Sequence, residues 1–123
     1  MKFKWTQRSE KEIEDEILTY LKFRDDVFAF KVQTQAQYDP KLGIYRKLNK
    51  WVFQGTADIL ALTHGCFVAF EVKSETGRQT DAQKEFEQKI KQFGGHYYLV
   101  RCLSDVQKAL GEVKCCQTQN MNG

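Results

Sequence analysis

The stretch ADILALTHGCFVAFEVK, Ala57 to Lys73, holds two apolar runs separated by His64-Gly65. A two-residue pair of that kind suits a tight hairpin turn, so the runs read as adjacent antiparallel strands. Both are apolar on both faces, the pattern of central strands covered on each side by helices. Three charged residues interrupt the pattern: Asp58, Glu71 and Lys73. If His64-Gly65 is the turn, Thr63 pairs with Cys66. Stepping back along both strands then sets Asp58 opposite Glu71, and side-chain alternation puts Asp58, Glu71 and Lys73 on one face. Directly opposed residues have Cβ atoms about 4.5 to 5.5 Å apart, and two like charges there destabilise the sheet unless something neutralises them. A divalent cation would do so. Oxygen-only ligands point to Mg²⁺, with Mn²⁺ as a substitute, rather than to zinc.

Working outward, Ser9 and Glu12 form a capping box, and Ile13, Ile17, Tyr20 and Leu21 follow at helical spacing, which predicts a helix from about Glu10 to Lys22. VFAFKVQ, Val27 to Gln33, is β-prone, and a further strand is expected around Trp51 to Gln54. Thr80 and Gln83 make a second capping box. Ala82, Phe86, Ile90 and Phe93 then mark one face of a helix from Asp81 to Phe93 that Gly94-Gly95 ends. His96 to Cys102 reads as the last strand, and Ser104 to about Leu110 as a short capped helix. The expected order is α-β-β-β-α-β-α, a mixed α/β sheet flanked by helices, in one domain over residues 1–114 with a disordered tail at 115–123.

Helix 1 offers a third carboxylate. At 100° per residue from Ile17, Glu14 falls about 60° and Glu10 about 20° round, both on the apolar stripe. An acid in the first turn favours the helix dipole, which explains Glu10. Glu14 lies a turn further in and is expected to face the site. Lys73, two residues after Glu71, projects beside it. An ammonium there counters the carboxylates, or positions an attacking water and stabilises a phosphorane-like transition state. An ExK triplet alone is common by chance; the opposed Asp, the central-strand ExK and the core-facing Glu together are much more specific.

With 123 residues and 41% hydrophobic content, the chain has enough apolar mass for one core. No apolar stretch approaches the roughly 20 residues that span a bilayer, and MKFKWTQRSEKE lacks the apolar segment of a secretory signal, so a soluble, cytoplasmic protein with no membrane partner is expected. Cys66, Cys102, Cys115 and Cys116 contain no CxxC pair, which disfavours a zinc site or a structural disulfide. Formal charge is only +3, yet Lys41, Arg46, Lys47 and Lys50 fall in ten residues without an acid. Such a run is either a solvated loop or a phosphate-binding arm, and the neighbouring Tyr45 and Trp51 favour nucleic acid through stacking.

At GTADIL (Gly55 to Leu60), FVAFEVK (Phe67 to Lys73) and SETGRQTDAQKEFEQKIKQFGG (Ser74 to Gly95), the sequence resembles the PD-(D/E)XK nucleases and, within them, the VRR-NUC (virus-type replication-repair nuclease) domain. The resemblance runs from helix 1 to about Val113. It implies a restriction-endonuclease-like fold in which Asp58, Glu71 and the Val72 carbonyl bind Mg²⁺, Lys73 assists the water, and Glu14 completes the site. Ala57 stands where the family usually has Pro or a small residue before the aspartate. Gln83 matches a glutamine that orients the water or a phosphate, and it is also the capping partner of Thr80; both readings stand. Gly77, Arg78 and Gln79 resemble a DNA-facing loop, with Arg78 placed for a phosphate near a helix N-terminus. Stand-alone members similar to this chain cut branched DNA such as Holliday junctions as homodimers. The expectation is therefore a structure-specific DNA endonuclease holding one or two Mg²⁺. A catalytically silent DNA-binding module and a two-carboxylate glycoside hydrolase are the rivals.

Overall fold

The computed structural model describes residues 8–33, 38–45 and 50–113. Helix α1 spans Glu10–Lys22, and its N-cap Ser9 accepts from the Glu12 amide. Strand β1 is Phe28–Lys31, and a two-stranded hairpin follows, β2 (Tyr38–Asp39) and β3 (Ile44–Tyr45). Then come β4 (Ile59–Thr63), β5 (Cys66–Val72), α2 (Asp81–Gln92), β6 (His96–Val100) and α3 (Leu103–Glu112).

The main sheet has the order β1-β4-β5-β6, antiparallel except for the β5–β6 pair. Its centre is the β4–β5 hairpin, in the expected register: Thr63 faces Cys66, and the pairing runs back to Ile59 opposite Phe70. His64 and Gly65 both have positive φ, 50° and 79°, the conformation a two-residue turn needs to match the strand twist. The β5–β6 pair is parallel, so the chain must cross over, and α2 is the crossover.

Alternation along β5 divides two cores. Val68, Phe70 and Val72 pack with Ile13, Ile17 and Leu21 of α1 and with Val106 and Ala109 of α3. On the other face Ala69 packs with Ala57, Phe86 of α2 and Tyr97 of β6. The expected α-β-β-β-α-β-α order is therefore present, with the small hairpin inserted after β1.

Four details differ from the sequence reading. Trp51 to Gln54 is not a strand but a series of turns, with Trp51 82% exposed; a β-prone composition makes a strand only where another strand can take its hydrogen bonds. The last helix begins at Leu103 behind Cys102, which gives no side-chain cap. Ser104 lies inside that helix, and its hydroxyl contacts the Cys102 sulfur at 3.0 Å. The last strand stops at Val100, where Asp105 accepts from the Arg101 amide and turns the chain away. Lastly, β4 and β5 are not covered along their whole length: Leu62 and Phe67, paired next to the turn, stand 50% and 39% exposed.

Candidate active site

Glu71 is the least expected residue of the sheet. It sits in the most apolar strand, 1% exposed, on the α2 side by alternation with Ala69. Lys73, two residues on, shares that side and is also buried; its ammonium lies 3.6 Å from Glu71 Oε1. The Gln83 side-chain amide donates to the same oxygen. Among the described residues Glu71 Oε2 is buried with no hydrogen-bond partner.

Asp58 precedes the first residue of β4. Its carbonyl accepts from the Val32 amide, and its carboxylate Oδ2 accepts from the Val72 amide at 2.8 Å. A side chain thus replaces the next rung of the β4–β5 ladder. Asp58 is held at the sheet's end, its backbone carbonyl bonded on the β1 side and its carboxylate on the β5 side. A strand residue's amide and carbonyl point to the same side, so the Val72 carbonyl also faces this end.

Burial raises both acids. Desolvation is the main cause for Glu71, pushed up to about 8 from 4.5, and the nearby Asp58 charge adds to it. Asp58 is raised chiefly by burial, with the Val72 amide opposing and Glu14 and Glu10 contributing. Burial outweighs charge in both shifts, and the repulsion foreseen from the hairpin register enters as the smaller Asp58 contribution to Glu71.

Glu14 is buried as expected, but it lies on α1, on the opposite side of the sheet from Glu71. Its Oε1 forms an ion pair with Lys31 Nζ at 3.0 Å and, among the described residues, receives no well-directed hydrogen bond. Asp58 links the two sides. It lines a cleft of about 330 Å³ with Glu10, Lys11, Glu14, Lys31, Val32 and Gln33. Glu10 also approaches Lys73: a Cβ built on Gly77 would lie 3.2 Å from Glu10 Oε1 and 3.4 Å from Lys73 Cδ. Both helix-1 acids therefore border the site. Among the described residues no three His, Cys, Asp or Glu side chains converge to hold a metal. The hard-oxygen donors on the Glu71 side are Asp58, Glu71 and the Val72 carbonyl, and two carboxylates completed by water suit Mg²⁺.

Gln83 fills both roles left open for it. Its Oε1 accepts from the Thr80 amide, closing the capping box, while its Nε2 reaches Glu71. The helix start and the buried carboxylate are thereby locked together. Gly55 explains the Gly of GTADIL: its φ is +84°, and a Cβ there would come within 2.3 Å of the Ala82 carbonyl carbon and oxygen. No side chain fits between this turn and the first turn of α2.

Arg78 is exposed in the loop before α2, as a phosphate contact requires. Gln79 is half-buried, and its amide donates to Glu87 and to the Tyr97 hydroxyl, so it braces α2 against β6. Lys41 and Lys50 are exposed, the Lys50 ammonium 5.2 Å above the Trp51 ring. Arg46 and Lys47, like Cys115, Cys116 and the tail, lie outside the described residues. Sequence reasoning missed Arg101. Its guanidinium donates to the Ser74, Glu75 and Gly77 carbonyls and so fixes the loop between Lys73 and α2. Sequence reasoning also missed Lys31. Neither left a signal, because each acts on groups distant in the chain.

No helix among the described residues is long and apolar enough to cross a membrane. Comparison with protein-family models, with curated proteins and with solved structures finds no match for the chain.

Proposed function

We propose that the chain is a Mg²⁺-dependent, structure-specific DNA endonuclease of the PD-(D/E)XK type, resembling VRR-NUC domains. It would act in the cytoplasm on branched DNA such as Holliday junctions or flaps, with Mn²⁺ able to substitute. One observation carries the reading: Glu71 is 1% exposed and, among the described residues, keeps one oxygen without a hydrogen bond, beside Lys73 and next to Asp58. A buried ionic cluster is at best neutral for stability compared with apolar residues of similar volume. Its presence in the central strand favours a catalytic role over a silent DNA-binding one.

Asp58, Glu71 and the Val72 carbonyl are the groups that would hold the ion. When bound, the ion supplies water activation and neutralisation of phosphate charge. Gln83 fixes the Glu71 carboxylate. Lys73 orients the attacking water and stabilises negative charge developing on the phosphate. Glu14 is read as a neighbour of the site that holds Lys31 in the cleft. Arg78, near the start of α2, takes a phosphate. Lys41, Arg46, Lys47 and Lys50 form the arm that follows the DNA backbone.

The test is incubation with labelled four-way junction, flap, single strand and duplex, in Mg²⁺, Mn²⁺ or chelator. Cleavage should require the metal and favour a branched substrate. Glu71→Gln and Lys73→Ala should each lose at least about 10²-fold in rate while still binding DNA. Wild-type cleavage by either variant would sink the assignment.

A further inference from the structure

The half of the sheet farthest from Asp58 carries a row of side chains that break the usual rule of apolar burial. Phe28 pairs with Leu62, and Leu62 pairs with Phe67, so the three share one face across β1, β4 and β5. Leu62 alternates with Ala61, which belongs to the α1 core, so the row faces the α2 side. Phe30, two residues from Phe28, shares the face, with its ring 5.7 Å from that of Phe28. Phe93, the C-cap of α2, extends the row beyond Phe67. Exposures are 67% for Phe28, 47% for Phe30, 50% for Leu62, 39% for Phe67 and 80% for Phe93.

At about 200 Å² for a whole aromatic side chain, the row exposes on the order of 500 Å² of apolar surface. A standard interface buries about 800 Å² on each partner and is about 60% apolar, so it needs roughly the same amount.

The row also contains a knob and a hole. Phe67, Ile90, Phe93 and Gly95, with Lys89 at the rim, line a depression of about 320 Å³. A cavity of about 150 Å³ already accepts benzene. At its floor Gly95 lets Ile90 and Phe67 pack against the backbone: a Cβ there would lie 2.8 Å from Ile90 Cγ2 and 3.3 Å from Phe67 Cδ1. Phe28, the most exposed aromatic of the main sheet, stands at the opposite end of the row. A two-fold rotation about the middle of the row brings each Phe28 over the other copy's hole. Knob and hole on one face can complement themselves across a two-fold axis, which is what an isologous interface requires.

We propose that this face binds a second copy of the chain, with Phe28 of each protomer seated in the partner's hole beside Phe67 and Phe93. The resemblance to homodimeric nucleases gives no location for a dimer contact; this face is read from the exposed row alone, and it stands whether or not the chain cuts DNA.

Sedimentation over roughly 1 to 100 µM, the weak end of affinities for interfaces of this size, reads the assembly. Wild type should be dimeric. Phe28→Ser and Phe93→Ser should each raise the dimer dissociation constant about 100-fold, since each contact occurs twice and each loss costs about tenfold. Leu42→Ser, at another exposed apolar position, should leave it unchanged. Mixing the Phe28→Ser and Phe93→Ser proteins should restore dimers, because a mixed pair keeps one intact knob and hole. A wild type that stays monomeric, with the row free or covered by its own chain, overturns the proposal. So do variants that keep the wild-type mass, and a mixture that stays monomeric.

Discussion

The two ends of the α2-facing side of the sheet break the rules of burial in opposite senses. Where β4 starts and β5 ends, charges are buried: Glu71 and Lys73, with Asp58 at the edge. Some five residues away, at the His64-Gly65 turn, Phe28, Leu62 and Phe67 are exposed. The same two strands and the same helix serve both ends, with Gln83 in the first turn of α2 and Phe93 just past its last. A chain optimised only for its own stability would exchange the two patterns. That inversion is what the two proposals address: a metal ion at the charged end and a second copy of the chain at the aromatic end.

The largest effect expected is at the charged end and depends on pH. Glu71 is held near 8 in the fold and near 4.5 when unfolded, so between these values the folded state binds the extra proton. Its contribution is complete below about 4.5 and is lost as the pH rises through about 8; Asp58, also raised, acts in the same direction. At about 1.4 kcal/mol per pH unit the whole interval corresponds to on the order of 5 kcal/mol, and solvent screening brings the expected loss down to about 3 kcal/mol. In chelator, thermal melts at pH 5 and pH 8.5 should show that loss in wild type and much less of it in Glu71→Gln. Parallel pH profiles for the two proteins would remove the electrostatic basis of the comparison.

Glycine replacements at the two ends of α2 sharpen it next. Gly55→Ala meets the Ala82 backbone at 2.3 Å as well as a positive φ, so it should destabilise by about 3 kcal/mol and loosen Gln83. Gly94→Ala has a φ of +90° but open space around it, so only the conformational cost of about 1 kcal/mol should appear. Chemical denaturation of both proteins supplies the check. Equal costs would mean that α2 is not anchored more tightly at the charged end.

Asp58→Asn keeps an oxygen to accept from the Val72 amide and removes the charge that repels Glu71. Without metal it should gain about 0.2 to 1 kcal/mol; wild type should be stabilised by added Mg²⁺, and the variant should lose most of that gain. A less stable variant with a full Mg²⁺ response would make Asp58 a structural residue. The smallest effect belongs to the aromatic end: at concentrations too low to associate, Phe28→Ser should change stability by no more than about 0.5 kcal/mol. A larger loss would show that the exposed row supports its own chain.

Several elements were legible in the sequence because their causes are local. The hairpin register follows from a two-residue turn and a period of two. The starts of α1 and α2 follow from Ser9 and Thr80, which cap within three residues. Trp51 to Gln54 misled because strand composition says nothing about a pairing partner, and Ser104 because a capping residue type does not fix which residue precedes the first turn.

By itself the sequence determined that two apolar strands meet with Asp58, Glu71 and Lys73 at one end, since spacing along a hairpin fixes who stands opposite whom. Only the tertiary structure decided which neighbours those charges have. It pairs Glu14 with Lys31 on the far side of the sheet, sends Arg101 to the loop carbonyls, and lets one amide of Gln83 serve both cap and carboxylate. It also decided that α2 reaches over β6 and leaves Phe28 and Leu62 uncovered. The physical reason is range: turns, caps and alternation act over a few residues, whereas burial and ion pairing depend on which distant segment packs against a given face.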